Sequence, residues 1–436
     1  MLLGMRARQS DVSAGLRATP RAYAHRWAIG SALVLGYLAL RLVNLGQLWL
    51  ASESQSATGP ANPSGKPSEY FVHTALPAAP GLGGVLANWD GQWYERIATE
   101  GYPTGTESHS ANDTWTWAFP PVFPMSVRLV MALTGLGFPA AAVVLNLVLG
   151  GIATALLYAL LRAPLGTAMA LAGALALNTF VSAPLFTLAY SEPAALVFLL
   201  LTIRFTLAHR YAPAFAGVLL LAFTRPVAAP LVLVFAAHAL ARLRNRDAEV
   251  FRPASKVLLA ACALASVASP FLWNALASAL FGATRAASDQ TNEPLSGVSR
   301  TASMLGTFEF GWIGGVGRIA GVGGALTIVA VLAATLCLAE VAARHLGLSL
   351  ELRVWGAAYI VFVILVTPPT PGLLRYLLLA APLLIAVQIL PLSWTNRRTG
   401  LIVFAVLTAV ALWTQWFWIR YLYILDPAPA LLPWPP

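Results

Sequence analysis

A carboxylate set between two tryptophans is the part of this 436-residue chain best suited to chemistry. Asp90 lies in Trp89-Asp90-Gly91-Gln92-Trp93-Tyr94-Glu95-Arg96-Ile97, and Gly101-Tyr102-Pro103 follows. An aspartate can take a proton from a hydroxyl; it is equally a favoured N-cap, here for a helix beginning at Gly91. Other candidate groups are few and scattered: Arg41, Tyr190-Ser191-Glu192 ahead of Pro193, Arg225 ahead of Pro226, and Arg375-Tyr376 after the proline-rich run from Thr367. Arginine suits an anionic partner such as phosphate, because its planar fork donates in pairs and stays charged. A carboxylate and arginines gathered at one surface would give proton abstraction beside an anionic group. Each residue also has a plainer reading. Arg41 could snorkel to headgroups. Glu192 could belong to a helical first turn, and Arg375 could anchor an interface beside Tyr376. Trp89, Trp93, Trp115 and Trp117 could stack on sugar or lipid, or sit in an interfacial belt.

The elements that must position these groups are membrane helices. The chain is 58% hydrophobic and 10% charged, with a mean hydropathy of +0.72. A soluble domain carries about 25% charged residues. Apolar runs of the length needed to cross a bilayer recur, and two-residue alternation is absent, so the fold expected is an all-α polytopic membrane protein and not a β-barrel. Cys262 and Cys337 lie inside apolar runs and read as buried thiols. The net charge is +10, and only Lys66 and Lys256 are lysines. Topology distributes that charge, so no nucleic-acid partner is indicated. There is no phosphate-cradling GxxxxGK[ST], no HExxH and no nucleotide-binding domain, hence no sign of a metal or cofactor. An activated substrate would then arrive through the bilayer.

Residues 1–26 read as a basic cytoplasmic tail, Trp27 to Leu50 as an uncleaved first helix, and residues 27–425 as one transmembrane domain. The acidic loop 51–118 fits the outer face. Within it, residues 91–100 place Trp93, Tyr94, Ile97 and Ala98 on one side of a helix, read as lying on the bilayer. Pro120, Pro121 and Pro124 precede a short run, Met125 to Leu136, read as tilted or re-entrant. If that run does not cross, Arg162, Arg210 and the bases from Arg242 to Lys256 share the cytoplasmic side. About eleven crossings follow: the first helix and ten later spans, 138–161, 164–181, 187–207, 212–224, 227–241, 255–281, 319–342, 354–367, 372–391 and 399–420. Breaks fall at Pro184 and at Arg225-Pro226. The cluster Trp413, Trp416, Trp418 reads as an interfacial belt, and residues 426–436 as an outer tail. This orientation brings Asp90, Tyr190 to Glu192, Arg225 and Arg375 to the outer face.

Together, Trp89 to Tyr94 with Gly101-Tyr102, Phe119-Pro120, Phe123-Pro124, Tyr190-Ser191-Glu192, Thr224-Arg225-Pro226 and Arg375-Tyr376 resemble, in order and rough spacing, the bacterial branch of the PIG-V mannosyltransferase family, over about residues 27 to 391. That family belongs to the multi-pass GT-C glycosyltransferases, which place an acidic residue in the first outer loop. The resemblance implies transfer of mannose from a polyprenyl-phosphate donor to a lipid or glycan hydroxyl at the outer face of the plasma membrane. It implies inversion and no required metal or cofactor. Asp90 would then be the general base, Arg375, Arg225 and Arg41 the groups on the donor phosphate, and Trp89, Trp93, Tyr94, Tyr190, Glu192 and Tyr376 the pocket. One departure lies at Ser288-Asp289-Gln290-Thr291-Asn292-Glu293-Pro294, where the family tends to show aromatic and Gln residues near a Trp. Alternatives are another GT-C sugar transfer, protein O-glycosylation, a lipid-linked-sugar flippase, or a non-catalytic membrane subunit.

Overall fold

A computed structural model describes residues 20–55, 81–104, 116–244, 251–282, 311–367 and 369–424, with side chains from Trp27 onward. The expectations placed on residues 1–19, Trp115, Ser288 to Pro294 and the tail 426–436 lie outside them. Every regular element among the described residues is helical. In order they are α1 (Pro20–Ser52), α2 (Leu82–Leu86), α3 (Asp90–Glu100), α4 (Val122–Thr134), α5 (Phe138–Ala176), α6 (Glu192–Leu207), α7 (Tyr211–Ala222), α8 (Leu231–Arg244), α9 (Pro253–Phe281), α10 (Trp312–His345), α11 (Leu350–Val366), α12 (Leu373–Tyr376), α13 (Ala381–Ile389) and α14 (Arg397–Trp418). Short 3-10 turns join some of them, and a π-helical turn, Ile419–Tyr423, follows α14.

The helices are amphipathic in the reverse of the soluble sense. In α1 the buried positions Tyr37, Arg41, Asn44, Leu48 and Ala51 follow a spacing of three and four that makes one helical stripe, with Ser52 buried beside its end. Leu35 and Leu42 are 66% and 68% exposed on the opposite side. Polar side chains therefore turn inward, and the exposed hydrocarbon suits lipid. Among the described residues, six helices are long and apolar enough to cross a bilayer: Trp27–Ser52, Phe138–Thr179, Pro253–Phe281, Trp312–His345, Leu373–Trp394 and Arg397–Tyr423. Helices α6, α7, α8 and α11 have 12–17 residues. At 1.5 Å per residue they are ~18–26 Å long. They are shorter than the ~30 Å hydrocarbon core and pack within the bundle. Helix α4, with 13 residues, is also too short to cross upright.

Helix α5 is a folded-back pair rather than a rod. Gly166, at φ 70°, breaks it two residues after Pro164, and Leu161 packs against Gly173. In a straight helix those two residues would stand ~18 Å apart. The left-handed backbone at this turn is the conformation glycine adopts without steric cost. Past this turn the chain leaves regular helix. Residues Leu177 to Ser191 run through the interior as 3-10 turns and extended backbone, nearly all buried. Buried carbonyls need donors, and side chains from three helices supply them. Arg41 Nη1 and Nη2 donate to Ala183 O (2.6 Å) and Asn178 O (3.0 Å). Asn146 Nδ2 donates to Leu188 O and Tyr190 O. Gln415 Nε2 donates to Asn178 O and Phe180 O.

The bundle has two chemically different ends. At one, α8, α7 and α11 meet through His238, whose Nδ1 lies 2.7 Å from Glu351 and whose Nε2 lies 3.0 Å from the Tyr211 hydroxyl. Arg242 and Glu340–Arg353 stand nearby in sequence, and the Pro164 turn touches Gly347. Arg162, Arg210, Arg252, Lys256 and Arg397 lie at or beside the helix ends of this same basic end. The other end carries Asp90, Glu192, Arg225 and Arg375.

Candidate active site

The site is assembled on three interruptions of helix. The first is the start of α3. Trp89 holds φ 56°, ψ −116°, a conformation rarely adopted by a residue with a Cβ. It turns the chain so that α3 begins at Asp90 itself. Gly91 fits close over Ala189, and Ala189 N donates to Leu86 O. This pins the head of α3 against the buried extended segment and brings Asp90 beside Tyr190-Ser191-Glu192. The second interruption is the start of α6, where Pro193 follows Glu192 and fits a first turn that needs no amide donor. The third pairs the stop of α7 before Arg225-Pro226 with the four-residue α12, which carries Arg375.

Arg375 is the hub. Its Nη1 donates to Asp90 Oδ2 at 2.8 Å, its Nη2 to the Tyr376 hydroxyl at 3.1 Å, and its Nε lies 3.2 Å from Glu192 Oε1. The guanidinium also sits over the rings of Tyr190 and Tyr376, 5.3 and 4.9 Å from their centroids. Arg225 Nη1 is 2.9 Å from the same Glu192 Oε1 and donates to Ser191 Oγ at 3.1 Å, and its guanidinium lies over the Tyr376 ring, 5.6 Å from the centroid. Ser191 Oγ lies 2.7 Å from the Tyr94 hydroxyl, one helical turn beyond Asp90. Burial holds the Tyr94 phenol well above its ordinary pKa, so it stays a neutral hydroxyl.

Two carboxylates face two guanidiniums, so the cluster is charge-balanced. Its side chains are largely out of water: Glu192 is 0% exposed, Arg375 5%, Arg225 10% and Asp90 18%. Charges this buried persist only when paired. The ion pairs to Glu192 are close but poorly aligned, and neither of its oxygens takes a well-formed hydrogen bond. Asp90 is the most open of the four, and its Oδ1 accepts no hydrogen bond among the described residues. The arrangement can therefore accept a proton at Asp90 and present arginines to an anion beside it. Among the described residues, no three of His, Cys, Asp and Glu come together as metal ligands.

Several expectations are corrected by these positions. Asp90 does not cap α3: Trp89 is the N-cap, and no side-chain cap bond forms. Arg41 is not in the cluster; it is buried over Phe186 with its guanidinium committed to the carbonyls of Asn178 and Ala183. Helix α3 does not lie on lipid with its apolar side. Tyr94 packs edge-on to Phe119 and Phe123, Trp93 stacks on Phe119, and Ile97 is fully buried. Trp89, Trp93 and Trp117 are 6%, 4% and 1% exposed, which removes them from any interfacial belt. Trp418 is likewise interior, stacked on Tyr423, while Trp413 is 66% exposed. Cys337 is exposed rather than buried. Ser191 was visible only as part of a motif, and its place between Tyr94 and Arg225 had no separate sequence signal.

No family model matches the chain, and no curated protein matches it, so the resemblance to the PIG-V family rests on its motifs alone. Among solved structures, the chain is similar to that of ArnT from Cupriavidus metallidurans bound to undecaprenyl phosphate, at 16% identity and a TM-score of 0.47, over 87% of this chain and 64% of that one. It is also similar to two structures of the oligosaccharyltransferase of Archaeoglobus fulgidus. The complex with zinc and sulfate gives 12% identity and a TM-score of 0.42, over 90% of this chain and 53% of that one. The form tethered to an acceptor peptide with an NVT sequon gives 13% and 0.40, over 91% and 55%. The chain thus spans between half and two thirds of the length of these proteins.

Proposed function

We propose that this protein is a GT-C-type glycosyltransferase that moves a sugar from a polyprenyl-phosphate donor to an acceptor hydroxyl of a lipid or glycan. The sugar indicated by the motif resemblance is mannose. The observation that carries the reading is the 2.8 Å contact of Arg375 with Asp90, which unites a general base and an anion-binding group in one buried cluster. Asp90 takes the proton of the acceptor hydroxyl as its oxygen bonds to the anomeric carbon. The bond from that carbon to the phosphate oxygen breaks, and the phosphate leaves with the electron pair. Arg375, supported by Arg225, stabilises the charge that develops there; electrostatic stabilisation of this kind is worth several kcal/mol in a site sheltered from water. Glu192 keeps both arginines oriented. Tyr376, half-exposed beside Arg375, and Tyr190 beneath it shape the donor side.

The orientation proposed follows from the two ends of the bundle. Arginine-rich turns favour the cytoplasm, so the opposite end, which holds Asp90, faces the extracytoplasmic side of a cell membrane. The test is incubation of the purified protein with labelled polyprenyl-phosphate sugars, mannose first among a panel, together with a membrane lipid extract. A radiolabelled product dependent on Asp90 is expected. Turnover of none of the donors, with the protein folded, would remove the glycosyltransferase reading. Turnover of a different sugar would correct only the mannose assignment.

A further inference from the structure

The π-helical turn that follows α14 reaches the site from the far end of the described chain, and its last residue packs against the neighbours of both Asp90 and Arg375, namely Trp89 and Tyr190. Tyr423 is fully buried. Its hydroxyl donates to Val85 O at 2.7 Å, and its own carbonyl accepts the Trp89 indole Nε1–H at 2.8 Å. One residue thus grips the Val85–Trp89 turn at two points four residues apart, immediately before Asp90. The same phenol ring lies 6.1 Å from the Tyr190 ring, on which the Arg375 guanidinium rests. Trp418 stacks on Tyr423 at 5.4 Å and 20°, which fixes the ring from behind.

Three features say that this grip is more than packing. Trp89 sits at positive φ without being glycine, a conformation that persists only where surrounding contacts over-determine it. The indole bond to Tyr423 is such a contact. The chain adopts π-helix over Ile419–Tyr423, and π-turns are rare and concentrated at functional sites. The turn is closed by the Ile424 amide, which donates to Ile419 O five residues back at 3.0 Å. Finally, the direction of α3, and with it the aim of the Asp90 carboxylate, is set by the Trp89 backbone. The Gln55–Asn88 amide pair, with one bond in each direction at 2.7 and 3.0 Å, braces the same turn from the segment just after α1.

We infer that Tyr423 is a positioning residue: it holds the strained Trp89 turn so that Asp90 points at the acceptor while the Tyr190–Arg375 stack keeps the donor phosphate in register. This rests on the glycosyl-transfer reading above for its catalytic meaning, though not for its structural content. Tyr423 contacts neither Asp90 nor Arg375 directly in this arrangement; it acts through Trp89 and Tyr190.

The test uses the full chain in lipid nanodiscs, with Tyr423→Phe and Trp89→Phe. The first removes the hydroxyl bond to Val85 and keeps the ring and carbonyl. The second removes the indole donor and keeps an aromatic. Each is expected to lower kcat for transfer from a polyprenyl-phosphate sugar about 10-fold or more, with donor KM changed less than about threefold. In an Asp90→Asn background, Tyr423→Phe is expected to lower the residual rate less than about twofold, because the group it aims is gone. A purely structural role would lower both backgrounds alike. Independently of any turnover, amide hydrogen exchange over residues 81–95 should rise about 10-fold in Tyr423→Phe while α7 peptides stay unchanged. Unchanged exchange at 81–95, or full kcat in Tyr423→Phe where Asp90→Asn abolishes transfer, overturns the positioning role. Full transfer by Asp90→Asn overturns the base assignment instead, and the exchange result then still decides whether Tyr423 holds the turn.

Discussion

Asp90 and Arg375 cannot stay in contact through the reaction proposed for them. An inverting displacement puts the entering and leaving oxygens on opposite faces of the anomeric carbon, so the sugar must come between the base and the arginine that receives the phosphate. The pair as it stands, at 2.8 Å, is a closed state in which each group neutralises the other. An anionic donor can open it by replacing the carboxylate on Arg375, and this frees Asp90 as a base only when a donor is bound. Asp90→Asn then has two opposite effects. Loss of the base should lower kcat by about 10²–10⁴-fold. Loss of the competing charge, worth ~1 kcal/mol for a partly exposed pair, should tighten binding of polyprenyl phosphate about fivefold. Steady-state kinetics and tryptophan-quenching titrations read the two separately, and weaker phosphate binding by Asp90→Asn would remove the exchange. Glu192 is different in kind. It is fully buried between two arginines, and removing one partner of a buried pair costs about 3–5 kcal/mol. Glu192→Gln should therefore lower thermal stability in detergent as well as activity, whereas Asp90→Asn should leave stability close to wild type. At this scale the sequence was informative because Asp, Glu and Arg stand out against an apolar background. It could not show that Arg375 reaches across 285 positions to Asp90, since no local pattern encodes that contact.

Arg41 shows why element-level roles were harder to see. A charge inside an apolar helix reads equally well as an anion ligand or as a donor to buried backbone. The choice is made by the element it meets, the irregular run from Leu177 to Ser191, whose interior carbonyls have no helix to satisfy them. Breaks in helix at Pro184 and at Arg225-Pro226 were legible from proline; that one break would be stitched by Arg41, Asn146 and Gln415 from three separate helices was not. The apolar face of α3 was legible as a periodicity too, but periodicity does not distinguish lipid from a protein neighbour such as Phe119 or Phe123. Arg41→Met keeps most of the side-chain volume and strips both donors. With the Ala183 carbonyl losing its arginine donor at ~1–3 kcal/mol, while Gln415 Nε2 still donates to the Asn178 carbonyl, the variant should lose about 1–3 kcal/mol of stability, read as a fall in Tm. Donor KM should be unchanged in the fraction that folds. A selective rise in donor KM with unchanged Tm would return Arg41 to the phosphate.

Across the whole molecule, the two ends of the bundle carry the argument about where the chemistry happens. Helix α6 leads from Glu192 at the site end to Arg204 and His209 at the other, and α8, α11 and α14 each keep their basic residues away from the site. Overall class and this polarity were readable from composition and charge, because the bilayer constrains both. Helix number was less so, because apolar runs do not reveal a fold-back at Gly166 or how short helices pack. The orientation can be tested without any substrate. Cys262 and Cys337 are replaced by Ser, and single cysteines are introduced at Thr99, exposed on α3 near the site, or at Arg398, exposed at the start of α14. In right-side-out membrane vesicles, an impermeant maleimide should label Thr99→Cys at once and Arg398→Cys only after the membrane is opened by detergent. The reverse pattern would put Asp90 on the cytoplasmic side. A donor would then have to be used on the leaflet where it is made, and the acceptor sought among cytoplasmic-face lipids rather than envelope glycans.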